Sequence, residues 1–414
     1  SVADAFLLHD RGIRARYDDS VVRVIDGAPV LLRRARGYAP VPVPLGFTAV
    51  REVLAVGGQQ KNTFCAVKGP YAFVSPHIGD LDHPETVAHF LESLAHYRSL
   101  FRLAPELVAH DLHPDYVSTR IAEGLAPPER RVAVQHHHAH VASCMAEHGL
   151  AGPVIGVAYD GTGYGTDGAV WGGEVLVVDL RTAQRAAHFR YAPMPGGESA
   201  IRKPYRMAAA LLWSWFGEDD RFERFWRSIP PGERDVLRRM VSTGTHAPLT
   251  SSCGRLFDAV SALLGVCREA SYDGQPAAEL EARADPATED AYPLEVREGE
   301  DPGTWVLDPA ETLLRAWLDD ERGRPRAEIA GAFHNAVASA TAEVCRRIAR
   351  ATGLRRVCLT GGCFQNRLLA ERTRALLERL GLEVFAHRAV PPNDGGLSLG
   401  QAVVAHARAE AGAV

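Results

Sequence analysis

The pattern of apolar and polar positions is clearest in the last third of the chain. A helical period over 327–351 is followed by a short β run at 356–360 and a Gly-Gly turn. A second helical period over 366–380, a β run at 383–387 and a helix over 397–409 complete the series. Short strands separated by helices predict a parallel α/β unit, because parallel neighbours need a long crossover. The middle of the chain predicts a helix over 138–148, a strand over 154–159, a Gly-rich turn and a strand over 171–180. From Tyr205 to Met240 the pattern is helical and charged, broken by Pro-Pro-Gly at 230–232, and 283–304 is acidic with Pro and Gly, as in an exposed loop or small insertion. Nearer the start, β runs at 51–56, 63–67 and 71–74 lead to a helix over 89–101. There follows Leu107-Val-Ala-His-Asp-Leu-His-Pro, a strand ending in polar residues before a proline, which is how an α/β sheet delivers side chains to a crevice.

The first 45 residues differ in character. Runs at 19–26 and 29–34 flank Asp26-Gly-Ala and predict a hairpin. An isolated hairpin is marginal in water, so this one either docks on the main body or is the tail of a domain that begins outside the chain. Since Ser1 starts in mid-pattern, the expectation is a truncated piece. Pro40, Pro42 and Pro44 stiffen 37–45 into a predicted linker, with a new domain starting near Ala49. A length of 414 residues implies two or three lobes. The net charge of −5 argues against a broad nucleic-acid or anionic-membrane surface. No apolar run approaches the roughly 20 residues of a membrane helix and no signal-peptide pattern opens the chain, so a cytoplasmic protein is expected. The seven cysteines are scattered without a C-x-x-C pair, which fits a reducing compartment and speaks against a zinc finger.

Candidate chemistry is concentrated in four places. In Gln135-His-His-His-Ala-His, His136 and His140 lie one helical turn apart, so both imidazoles are able to face one ion. The alternative is a polar helix face, to which His137 and His138 naturally belong. A histidine pair needs carboxylates, and Asp160 and Asp394 stand at strand-to-turn boundaries beside glycines; each is either a ligand or a turn cap. In Asp160-Gly-Thr-Gly-Tyr-Gly, residues Gly161, Thr162 and Gly163 can turn backbone N–H groups toward phosphate oxygens, or form a plain Gly-rich hairpin. A strand follows this turn and no Lys-Ser/Thr occurs in it, so neither a dinucleotide fingerprint nor a P-loop is present. Gly361 and Gly362 open a helix directly after a strand, a place that favours a phosphate or ribose, or that serves tight strand–helix packing. In the run that starts at Ser251, Asp258 either reaches a ribose hydroxyl or makes a surface ion pair. Lys203 and Arg206 either steady an anionic phosphate or face solvent.

Together these segments resemble the HypF family of carbamoyltransferases, which serve [NiFe]-hydrogenase maturation. The resemblance rests on Asp18-Asp-Ser-Val-Val-Arg, Arg33-Arg-Ala-Arg-Gly-Tyr-Ala-Pro, Gln60-Lys-Asn-Thr-Phe, Ser75-Pro-His-Ile-Gly-Asp-Leu and Asp111-Leu-His-Pro-Asp-Tyr. The His-rich run, Asp160-Gly-Thr-Gly-Tyr-Gly with Trp171-Gly-Gly-Glu, and Thr360-Gly-Gly-Cys-Phe-Gln-Asn continue it in order along nearly the whole chain. It implies an α/β fold: an actin-like, two-lobed TsaD-like domain over 46–414, preceded by the end of a YrdC-like domain over 1–45. It implies a divalent metal, iron or zinc, on His136, His140, Asp160 and Asp394, with His136 and His140 catalytic. It places the adenylate on Gly161, Thr162, Gly254, Asp258, Gly274, Gly362 and Asn366. The implied activity joins ATP and carbamoyl phosphate through carbamoyl-adenylate to the C-terminal cysteine of a HypE-type partner. The acylphosphatase-like and Cys-rich zinc modules of full-length members are not among the matching segments. An O-carbamoyltransferase acting on an antibiotic-type hydroxyl and a non-catalytic nucleotide-binding scaffold are the rival expectations.

Overall fold

The amino-terminal hairpin forms as expected, from β1 (Val21–Ile25) and β2 (Ala28–Arg33). The computed structural model describes residues 3–413. Next come β3 (Val43–Ala55), β4 (Cys65–Val74), α1 (Pro84–Phe101), β5 (Leu107–Asp111), α2 (Val117–Leu125), β6 (Arg131–Val134) and α3 (His136–Glu147). The four strands from β3 to β6 make one sheet in the order β4-β3-β5-β6, parallel except for β4. Strand periodicity sorts its side chains: Leu54 faces a cluster under α1 and α2, while Val53 and Ala55 face the opposite cluster.

The second lobe begins with β7 (Val154–Tyr164), β8 (Val170–Val178), β9 (Ala183–Phe189) and the short β10 (Ala192–Pro193). A helical excursion follows, α4 (Glu198–Arg202), α5 (Tyr205–Phe216), α6 (Glu223–Arg227) and α7 (Glu233–Thr243). Then come β11 (Leu249–Thr250), α8 (Cys253–Leu263), α9 (Gln275–Arg283), β12 (Glu295–Glu298), β13 (Trp305–Asp308) and α10 (Ala310–Glu321). The chain ends with α11 (Arg326–Thr352), β14 (Arg356–Thr360), α12 (Arg367–Arg379), β15 (Glu383–Ala386) and α13 (Leu397–Glu410). The second sheet has nine strands, ordered β12-β13-β9-β8-β7-β14-β15 with β10 and β11 at its margin. This is the two-lobed, actin-like α/β architecture, and α13 returns to the first lobe to pack on β3, β4 and β5.

The histidine helix lies between the sheets. Ala139, Ala142 and Ala146 of α3 pack into the first lobe with α13, while Val141, Cys144 and Met145 pack on β7, β8 and β14 of the second. Every residue from His136 to Ala146 is buried. The expected polar face for His137 and His138 is therefore absent: a helix shared by two cores has no solvent side. Small residues make this contact possible. A Cβ added at Gly400 of α13 would lie 1.7 Å from the Ala139 carbonyl oxygen. Gly400→Ala is thus expected to force the two helices apart and cost about 3 kcal/mol or more, read as a fall in the urea unfolding midpoint.

Three boundaries differ from expectation. The proline-rich linker ends early, because Val43 already pairs with Ala72 and the strand runs unbroken into 49–55. Residues 283–304 are more than a loop: β12 pairs with β13 at the sheet edge, and Tyr292 is buried with its hydroxyl donating to Asp319. Helix α3 starts at His136, two residues before the expected position, because Gln135 caps it by accepting from the His138 N–H at 2.9 Å. Among the described residues no helix is long and apolar enough to cross a membrane.

The hairpin docks on both lobes. Arg23 makes two bonds to Glu281 of α9, at 2.8 and 2.6 Å, and one to the Gln365 carbonyl. Asp26 pairs with Arg374 of α12 at 2.9 Å. Arg34, buried just beyond β2, donates to the carbonyls of Val41, Val74 and Ala389. A two-stranded ribbon gains its stability from such contacts, since it buries little apolar surface itself.

Candidate metal and nucleotide site

Strand ends and helix caps bring four ligand-type side chains to one point. The first two turns of α3 supply His136 and His140, with ring centroids 4.9 Å apart. Asp160 comes from β7, at an irregularity in its pairing with β8. Asp394 follows Asn393, whose side chain accepts from the Gly395 N–H and fixes the turn. Asp160 Oδ2 lies 3.4 Å from His136 Nε2 and 3.1 Å from His140 Nε2, and Asp394 Oδ1 lies 3.6 and 3.5 Å from the same atoms. All four ligand atoms fall within 4.8 Å of one another.

The donor set fits a divalent ion. Asp111, ending β5, holds His136 Nδ1 at 2.8 Å with both groups fully buried, and this directs Nε2 to the centre of the cluster. There His136 Nε2 is buried without a hydrogen-bond partner, an arrangement that is costly unless that nitrogen has a use. Burial disfavours charge on His136, but Asp111 and Asp394 outweigh it and hold its pKa well above the ordinary imidazole range. Burial likewise opposes ionisation of Asp394, yet the neighbouring His136 draws its pKa down to about 2. The cluster thus stores charge that a cation would replace. His137 stands apart: burial and the charge of His136 push it well below the ordinary value, and its Nε2 lies 3.7 Å from Glu174.

Asp160 and Asp394 also line a cleft of about 340 Å³ between the lobes. Gly161, Thr162, Gly254, Asp258, Gly274, Gly362 and Asn366 line the same cleft. The N-terminal ends of α8 and α9 meet there, a setting that favours an anion. The Gly362 N–H donates to Asp160 Oδ1 at 3.0 Å. Asn366 is occupied internally, capping α12 and donating to His334. Asp258 is different. Arg255 Nε is ion-paired with its Oδ2 at 2.7 Å, while Oδ1 is buried without a hydrogen-bond partner. Burial raises its pKa to about 6 against the pull of Arg255. A smaller cavity of about 170 Å³ under the hairpin has none of the metal or adenylate residues in its walls.

Four expected site residues lie elsewhere. Gly163 backs the histidines: a Cβ there would lie 2.5 Å from His137 and 2.7 Å from His136, so its role is close packing. Gly361 has a φ of 94° and lies against the Tyr159 backbone, where a Cβ would come within 2.1 Å of the carbonyl oxygen; it serves the strand–helix turn. Lys203 and Arg206 do not line the cleft. Both donate to Glu233, each at 2.9 Å, which makes them an ion-pair cluster at the start of α7.

Other residues of the site escaped the sequence reading. Asp111 carries the signal of a strand-terminal acid in Asp111-Leu-His-Pro, but its partner is 25 positions away. Lys61, Arg23, Asp273 and Glu281 line the cleft from four separate segments, with no local pattern to unite them.

The chain is similar to known proteins along most of its length. Residues 156–401 match the family described as "Carbamoyltransferase, Kae1-like Domain, second subdomain", and residues 48–147 match "HypF Kae1-like domain". "Carbamoyltransferase HypF" of Rhizobium leguminosarum bv. viciae is 44% identical, over 97% of this chain and 51% of that protein. "Carbamoyltransferase HypF homolog" of Cupriavidus necator is 38% identical, over 85% of this chain and 91% of that protein. A crystal structure of full-length HypF in a phosphate- and nucleotide-bound form superposes on the whole chain and on 64% of its own, with a TM-score of 0.95 and 45% identity. The chain spans about half the length of several of the curated relatives it matches. It belongs to the HypF carbamoyltransferase family and comprises that family's Kae1-like region.

Proposed function

We propose that the cleft transfers a carbamoyl group from carbamoyl-adenylate, made from carbamoyl phosphate and ATP, to the C-terminal cysteine thiol of a HypE-type acceptor. The observation that carries this is the sharing of one cleft by a metal-type cluster and a buried acid with one oxygen left unbonded. Asp160, Asp394 and Asp258 all line it. Asp258 receives a ribose hydroxyl, which supplies the donor its Oδ1 lacks. Gly161, Thr162, Gly254, Gly274 and Gly362 let the adenylate approach the backbone, and the helix N-termini face its phosphate. His136, His140, Asp160 and Asp394 hold the ion, iron or zinc by donor type. Bound there, it supplies Lewis-acid polarisation of the carbonyl or phosphate oxygen.

In the transfer the acceptor sulfur forms a bond to the carbamoyl carbon, the bond from that carbon to the phosphate oxygen breaks, and AMP leaves with the electron pair. The thiol proton is released. The nucleophile comes from the partner: Cys363 lines the cleft, but hydrogen bonding with Cys253, and then burial, hold its thiol well above the ordinary pKa. In the same proposal, residues 1–45 are the end of a YrdC-like domain and 46–414 the TsaD-like domain, with Arg23 and Leu32 of the hairpin forming one wall of the cleft.

The test supplies ¹⁴C-carbamoyl-adenylate and a divalent ion to the chain with HypE or an aminoglycoside. Label on the HypE cysteine supports the proposal. Label on a sugar hydroxyl favours the O-carbamoyltransferase reading, and nucleotide binding without turnover favours a scaffold. A second expectation concerns pH. Because Asp258 titrates near 6, its carboxylate is lost as pH falls, and adenosine affinity is expected to drop about tenfold from pH 7 to 5. Titration calorimetry with adenosine avoids the phosphate's own titration, and Asp258→Asn should flatten the profile.

A further inference from the structure

Three cations line the cleft among the described residues: Arg23, Arg255 and Lys61. Two are committed. Arg23 is held by two bonds to Glu281 and one to a carbonyl, and Arg255 is buried against Asp258. Lys61 alone is held by a single, half-exposed ion pair, its ammonium 2.6 Å from Asp273. Lys61 belongs to the first lobe and Asp273 to the loop before α9 in the second, so the pair spans the cleft.

The loop that carries Lys61 is rigid and faces the metal cluster. Lys61 has a φ of 46°, an uncommon conformation for a residue with a side chain, and its N–H is fixed by Asp80 at 2.8 Å. The adjoining Asn62 is fully buried and donates to the carbonyls of Val56 and Gly58. A Cβ at Gly58 would lie 3.1 Å from Asp394 Oδ2, and Thr63 donates to the Gly395 carbonyl. The backbone is thus braced against the Asp394 turn, while the lysine ammonium has a single hydrogen-bond partner, Asp273. An exposed ion pair contributes little stability, so an anion entering the cleft competes with Asp273 at small cost.

We propose that Lys61 is the phosphate-binding cation of the cleft, resting on Asp273 across the two lobes until an adenosine 5′-phosphate enters and takes the ammonium over. This rests on the cleft being the adenylate site. It gives the Gln60-Lys-Asn-Thr-Phe segment a role, and makes Asp273 a competitor of the ligand.

The test is titration calorimetry of AMP and of adenosine on the full chain, with circular dichroism to verify folding. Lys61→Gln should weaken AMP about tenfold or more and leave adenosine unchanged. Asp273→Asn should tighten AMP about twofold to fivefold, the effect of freeing an exposed pair. In the Lys61→Gln background the Asp273→Asn effect should vanish. Persistence of the tightening there would mean a general field effect and overturn the handover, as would weaker AMP binding by Asp273→Asn alone. An equal loss of AMP and adenosine on Lys61→Gln would also overturn it. If the unaltered chain binds neither probe, the adenylate reading of the cleft fails, a result distinct from AMP binding that ignores Lys61.

Discussion

His140→Ala is expected to lower metal affinity by more than about 100-fold, beyond the 10–100-fold typical of losing a supporting residue, and to abolish carbamoyl transfer. The removed ring lies 3.1 Å from Asp160 and 3.5 Å from Asp394, so two carboxylates lose a counter-charge as well as a co-ligand. The cavity left inside α3 costs roughly 2–4 kcal/mol. Because α3 is packed on both sides by alanine, valine and methionine, the helix is expected to survive, with unchanged far-ultraviolet circular dichroism. Elemental analysis of protein purified without chelators reads the effect. A stoichiometric ion retained by the variant would refute the assignment. His136→Ala is expected to be less stable than His140→Ala, since it also leaves buried Asp111 without its imidazole partner, a loss of about 1–3 kcal/mol.

Asp111→Asn should be nearly as damaging although it removes no proposed ligand. Asp111 Oδ1 accepts from the His113 N–H at 2.9 Å, while Oδ2 faces His136 Nδ1. In the amide the oxygen must stay on the His113 N–H, which turns the NH₂ group toward Nδ1. That forces Nδ1 to accept and moves the imidazole proton to Nε2, where the ion is to be bound. Metal affinity should fall about 10- to 100-fold with little change in unfolding midpoint. Equal affinities of Asp111→Asn and the unaltered chain in a competitive chelator titration would show that the tautomer is set by something else.

Local pattern carried far in this chain. The spacing of His136 and His140, the acids beside glycines at Asp160 and Asp394, and the strand–turn–helix at 356–380 all express short-range chemistry, and the structure brings the first four together. What escaped was non-local. Sequence shows three histidines in a row as a polar helix face, and only the packing of α3 between two sheets explains why His137 and His138 are buried. Glycine proved ambiguous in the same way: Gly161 and Gly362 line the cleft, while Gly163 and Gly361 permit close packing behind it, and identical local surroundings do not separate the two uses. Lys203 and Arg206 looked like an anion site because Glu233, their partner, is about 30 positions away.

The most direct test is anomalous diffraction from crystals of the chain grown with AMP, collected on both sides of the edge of the metal found by elemental analysis. The account predicts a single strong peak within coordination distance of His136 Nε2, His140 Nε2, Asp160 and Asp394, with the ribose of AMP on Asp258 in the same cleft. A metal peak elsewhere, or AMP bound away from Asp258 while the cluster stays dark, would contradict it.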